Sequence, residues 1–151
     1  MKIMVINGPN LNMLGIREKG VYGSRSFDDV CRDLALEGER RGHALTFYQS
    51  NSEGAIIDAI HRVYFEHYDG LVINPGAYTH YSYAIYDALK AIAPIPAVEV
   101  HLSDIHSREE FRRVSVTAPA CIGQIAGHGE TGYGMALDVL ERYCLEESQQ
   151  A

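Results

Sequence analysis

The chain has 151 residues, 46% of them hydrophobic and 22% charged, which suits one folded domain and excludes a disordered or fibrous chain. A formal charge of −7 and a pI near 5.4 disfavour nonspecific nucleic-acid binding. An anion would need a local convergence of arginines, for which Arg17, Arg108, Arg112 and Arg113 are candidates.

Residues 3–6, Ile3-Met4-Val5-Ile6, have the length and branching of a buried strand. A long stretch rich in Asn and Gly follows, from Asn7 to Gly23, with neither helical nor alternating period. Connections of this length in a small domain tend to be lids or binding loops, and a lid is expected at about residues 10–24. Ser26 then reads as an N-cap, with Asp28 and Asp29 favouring the helix dipole, and Val30, Leu34 and Gly38 share one face before Gly42 ends the helix. Residues 45–48 read as the second strand. A second helix starts at Ser52-Glu53, with Ile56, Ile57, Ile60 and Val63 at helical spacing. Asp69-Gly70 turns the chain into a third buried strand at 71–73. A helix over 81–93 is stopped by Pro94 and Pro96. Residues 97–100 form the fourth strand, 107–110 a short capped helix, 120–126 the fifth strand and 131–147 a final amphipathic helix.

Strands alternating with helices imply right-handed crossovers and a parallel sheet between two helix layers. Five strands suit a doubly wound, flavodoxin-like α/β domain spanning 1–151, since no linker, repeat or low-complexity segment divides it. Polar residues follow three of the strands directly: Asn7 and Asn10, then Asn74, then His101 and Ser103. In a doubly wound sheet those ends share one edge, so these residues should meet in a crevice.

Three unevenly spaced cysteines, Cys31, Cys121 and Cys144, form neither a disulfide framework nor a zinc pattern. His61 and His67 lack the carboxylate spacing of a metal site, so no metal is expected. The chain starts on strand residues without a basic leader or apolar span, and a cytoplasmic protein with no membrane contact is expected. On position alone several residues keep two readings. His101 could be a core histidine or a catalytic residue, and Tyr22 a packing ring or a catalytic residue. Arg17 and Arg112 could be surface charges, Asp87 a solvated helical acid, and Glu99 a structural ion-pair partner.

Asn7-Gly8-Pro9-Asn10-Leu11-Asn12, followed by Gly15, Arg17-Glu18 and Tyr22-Gly23, closely resembles the signature of type II 3-dehydroquinate dehydratases. Residues 74–80 (NPGAYTH), 99–103 (EVHLS) and 108–113 (REEFRR) resemble that family in the same order and spacing. The resemblance implies a flavodoxin-like sheet of order 2-1-3-4-5. It also implies a cofactor-free lyase that takes 3-dehydroquinate to 3-dehydroshikimate through an enolate, in shikimate formation or quinate breakdown.

By the same resemblance Tyr22 is the base and His101 the general acid. A phenol has a reference pKa of about 10, so a nearby cation must favour the phenolate, and Arg17 on the same loop is the expected source. Glu99, two residues before His101 and so on the same strand face, orients the imidazole. Asn10 holds a water against the enolate oxygen. Leu102 and Ser103 receive the substrate carboxylate, and Asn74, His80 and Arg112 bind its hydroxyls. Asp87 reaches the adjoining subunit's site in a homo-oligomer of trimers, a dodecamer, and Tyr81, Tyr83 and Tyr86 on the same helix favour an interface. Lys19 stands where the family usually has proline, Tyr86 where arginine is commoner, and His128 where histidine is uncommon.

Two other classes remain in view. A receiver-type module would want acidic residues where Asn7 and Asn10 stand, and a flavin-binding one a short phosphate loop. A purely structural oligomer would assemble without turning over a small molecule.

Overall fold

The computed structural model describes residues 1–151. Five strands, β1 (Lys2–Asn7), β2 (Ala44–Gln49), β3 (Gly70–Asn74), β4 (Ala97–His101) and β5 (Gly123–Ala126), pair in parallel in the order β2-β1-β3-β4-β5. This is the doubly wound order expected. The central strands are covered on both faces, which is why they read as unbroken apolar runs rather than alternating ones. Ile3 and Val5 point to one core with Val72, Val98 and Val100, while Met4 and Ile6 point to the other with Leu71 and Ile73.

The first core is closed by α2 (Phe27–Arg40) and α5 (Thr131–Gln150), through Val30, Leu34, Tyr133, Leu137 and Leu140. The second is closed by α3 (Glu53–Phe65) and α4 (Tyr83–Ala91), through Ile56, Ile60, Val63, Ile85 and Leu89. Serine caps set three of these helices. Ser26 Oγ accepts from the Asp29 N–H at 3.1 Å, Ser52 Oγ from Ala55 at 3.3 Å and Ser82 Oγ from Ile85 at 3.0 Å, each satisfying an otherwise unpaired first-turn donor. No helix is long and apolar enough to cross a membrane.

Several boundaries differ from the sequence reading. The helix expected over 81–93 begins only at Tyr83, because Ser82 is its cap. The short helix expected at 107–110 is instead two 3-10 turns, Ile105–Ser107 and Glu110–Arg112, and the cap of the first is Asp104 rather than Ser107. Between them Arg108 is extended (φ −101°, ψ −157°), which breaks the helix and frees its side chain. The fifth strand starts at Gly123 and not at residue 120, since Ala118–Ala120 forms a 3-10 turn around Pro119, which has no N–H to give a sheet. The lid also contains regular structure, a 3-10 turn at Leu11–Met13 and a single helical turn, α1 (Lys19–Tyr22).

The root of the lid is pinned at Gly8. Its N–H donates to the Asn74 carbonyl at 2.7 Å, extending the β1–β3 pairing beyond the strand ends. A Cβ there would stand 2.6 Å from the Pro75 carbonyl oxygen, so only glycine lets the two chain segments run this close. That approach brings the lid's first residues beside Asn74.

Candidate active site

At the carboxyl ends of β1, β3 and β4 lies a cavity of about 100 Å³, roofed by the lid and walled by the 3-10 turns after β3 and β4. Nine of the eleven residues to which the resemblance gives a catalytic or binding role line it; the other two are Glu99, buried behind His101, and Asp87.

Two clusters face this space. On the lid side, Tyr22 sits at the end of α1, and Arg108 Nη1 donates to its hydroxyl at 2.5 Å. The Arg17 guanidinium lies over the Tyr22 ring, 4.6 Å from its centroid, and that of Arg108 is 5.3 Å away. Two cations therefore face one phenol. Arg17 was expected to supply this charge. Instead Arg17 pairs with Glu18 and meets the ring face, while Arg108 holds the oxygen. Arg108 had entered the sequence reading only as one of four arginines able to form a basic pocket. Its signal was its place at the head of REEFRR; its partner lies 86 residues away, beyond any local pattern.

On the sheet side, His101 ends β4 and Glu99 precedes it on the same strand face. Glu99 is fully buried, and its Oε2 accepts from His101 Nε2 at 2.9 Å. His101 lines the cavity, and its Nδ1 has no protein partner. Burial alone would raise the Glu99 pKa, but the hydrogen bonds from His101, Thr117 and Gln124 and the nearby imidazole outweigh it and hold the carboxyl below its usual range. The ionised Glu99 carboxylate fixes the orientation of the His101 ring through their hydrogen bond. Thr117, Ser115 and Gln124 around Glu99 were absent from the sequence reading, since no motif carries them.

The remaining predicted residues surround these clusters. Asn10 adopts the left-handed region (φ 69°), with its N–H donating to Asn51 Oδ1 at 3.0 Å, which leaves its side-chain amide free of protein partners. Asn74 Oδ1 accepts from the Gly76 N–H at 3.1 Å while the residue lines the cavity. His80 Nδ1 donates to the Val114 carbonyl at 2.7 Å. Burial lowers the His80 pKa, so the neutral ring presents its other nitrogen as an acceptor. Leu102 and Ser103 follow His101, and Ser103 Oγ accepts from Arg108 Nη1 at 3.3 Å. Arg112 pairs with Glu109 and lies against the Phe111 ring.

Asn7 was expected in the crevice and is not there. The side chain of this last β1 residue is buried on the α5 side, where Tyr133 donates to its Oδ1. Asp87 is exposed on α4 and does not line the cavity of its own chain. His128 lies on the exposed turn before α5, also away from the cavity. No group of three or more His, Cys, Asp or Glu side chains converges as a metal ion would require.

The family model described as "Dehydroquinase class II" matches residues 1–141. The 3-dehydroquinate dehydratase of Clostridium beijerinckii is 64% identical over 141 residues, which cover 93% of this chain and 96% of that protein. The type II dehydroquinase of Butyrivibrio crossotus, a crystal structure, superposes with a TM-score of 0.92 at 55% identity, covering 93% of this chain and 97% of that one. A flavodoxin from Pseudomonas aeruginosa superposes with a TM-score of 0.50 at 15% identity, over 95% of this chain and 96% of that one. That last likeness is one of fold alone.

Proposed function

The chain belongs to the class II dehydroquinase family, and we propose that it dehydrates 3-dehydroquinate to 3-dehydroshikimate in the cavity at the ends of β1, β3 and β4. The observation that carries the reading is the facing pair of clusters. A phenol held by a guanidinium and a histidine backed by a buried carboxylate line one small space.

The ionised Tyr22 oxygen takes a proton from the carbon beside the substrate ketone. The C–H electron pair moves into an enolate, whose oxygen is stabilised by a water oriented by the free Asn10 amide. The enolate then collapses: its electron pair forms the new carbon–carbon double bond, and the C–O bond to the departing hydroxyl breaks. His101 gives that oxygen a proton, so water leaves. Tyr22 ends protonated and His101 neutral, and proton exchange with solvent resets both. These steps call for no cofactor, because the acid and the base are side chains of this chain and the oxyanion partner is a water held by Asn10.

Leu102 and Ser103 receive the substrate carboxylate at the start of the turn after β4, and Asn74, His80 and Arg112 bind its hydroxyls. Arg108 bridges the two functions, since it contacts both Tyr22 and Ser103. We further propose a homo-oligomer of trimers, a dodecamer, in which the exposed Asp87 serves the adjoining subunit's cavity. The exposed Tyr81 and Tyr83 support an interface there. The three free cysteines suit a reducing cytoplasmic compartment, and the chemistry serves either shikimate formation or quinate breakdown.

Incubating the purified protein with 3-dehydroquinate tests the reading. A growing absorbance of the conjugated enone is expected, and a flat trace from folded, assembled protein would contradict it.

A further inference from the structure

Glu99 has no exposed surface, yet its carboxylate meets four donors. Oε2 accepts from His101 Nε2 at 2.9 Å, Ser115 Oγ at 2.8 Å and Gln124 Nε2 at 2.8 Å, and Oε1 accepts from the Thr117 hydroxyl. An ionised carboxylate has about four acceptor positions, and four donors meet this one. Three of the donors, Ser115, Thr117 and Gln124, play no part in the steps above and do not line the cavity. Gln124 comes from β5, where the parallel register sets it directly opposite Glu99. Thr117 is fully buried in the segment between the last 3-10 turns.

A carboxylate and an imidazolium buried together can lose their charges by passing the proton from nitrogen to oxygen, which removes the cost of burying both ions. That transfer would leave His101 neutral and without a proton to give. Hydrogen bonds donated to the ionised carboxylate oppose it, because they stabilise only the charged form. His80, Arg112 and Cys121 are the other titratable side chains around the pair. Their hydrogen bonds go to Val114, Glu109 and the Thr117 carbonyl, not to either member.

We propose that Thr117 and Gln124 are positioning residues for the acid half of the site, keeping Glu99 ionised and fixed so that the shared proton stays on His101. The inference rests on the dehydration reading, within which it assigns two residues that never touch the substrate. Ser115 is a less clean probe, because its hydroxyl also accepts from the Ala118 N–H at 3.0 Å and so shapes the turn.

The test compares Thr117→Val, Gln124→Leu and Thr117→Ser with the parent, all in the full chain and in heavy water. Two rates are measured on 3-dehydroquinate: exchange of the hydrogen beside the ketone, which needs Tyr22, and appearance of the enone, which also needs His101. Thr117→Val and Gln124→Leu should each slow enone formation by about tenfold, the scale of one hydrogen bond to a charged group, while exchange continues. The ratio of exchange to dehydration therefore rises, and Thr117→Ser restores the parent ratio. A role in packing alone would lower both rates together, and an unchanged ratio in Gln124→Leu would overturn the proposal. Gln124 is on an edge strand and exposed, so its variant keeps the test valid should Thr117→Val fold poorly. If the parent itself neither exchanges nor dehydrates, it is the dehydration reading that fails.

Discussion

Tyr22 shows how much a single side chain depends on a residue far away in sequence. Its oxygen is held by Arg108 at 2.5 Å, and Glu18 stands close to both cations, pairing with Arg17 and lying 3.9 Å from Arg108. A charge-assisted hydrogen bond to the oxygen stabilises a phenolate more directly than a cation over the ring face. Arg108→Ala should therefore lower turnover by at least about a hundredfold, and Arg17→Ala by less. Turnover measured for both variants checks this, and a larger loss in Arg17→Ala would return the leading role to Arg17. The sequence named both arginines and the tyrosine. Pairing Arg108 with Tyr22 needed the fold, because the extended backbone at 108 that delivers the guanidinium breaks the helix its neighbours suggested.

At the scale of elements, β4 carries the acid half of the site, and its alternation explains why. Glu99 and His101 share a face, while Val98 and Val100 between and before them enter the α5 side of the core. Glu99 is thus a buried carboxylate inside a central strand, and its ionisation is linked to folding. Its folded-state pKa lies below the ordinary 4.5. The unfolded chain therefore takes up a proton first as the solution is acidified. The stability this group contributes is complete above its ordinary pKa and is lost as pH falls through the folded value. Urea midpoints taken from about pH 6 down to about pH 3 should fall more steeply for the parent than for Glu99→Gln. Parallel slopes would mean that Glu99 has no such linkage. The strands themselves were legible because buried parallel strands write continuous apolar runs. The turns between β4 and β5 were not: Asp104, Pro119 and the isolated 3-10 geometry outweighed the helix-like composition around Ser107.

For the whole molecule, the sequence carried the class of fold, the edge of the sheet that holds the cavity and most of its lining. It could not carry the company that Glu99 keeps. Gln124 is 25 residues away and finds Glu99 only through the register of β5, and Asn7, placed in the crevice by its position after β1, is drawn to Tyr133 instead. Asp87 belongs to the largest scale. Exposed on α4 and outside its own cavity, it should matter only in the assembly. Light scattering should find trimers built into a dodecamer, and Asp87→Ala should weaken substrate binding; a fully active monomer would refute both. The central claim, that one phenol removes the proton that starts the reaction, is tested most directly by Tyr22→Phe. That change keeps the ring, its packing and the overlying Arg17 but removes the only ionisable lid oxygen that lines the cavity. Turnover of 3-dehydroquinate should fall by at least about a hundredfold, with the thermal midpoint unchanged and no recovery at high pH. Near-parental turnover by the folded variant would contradict the account.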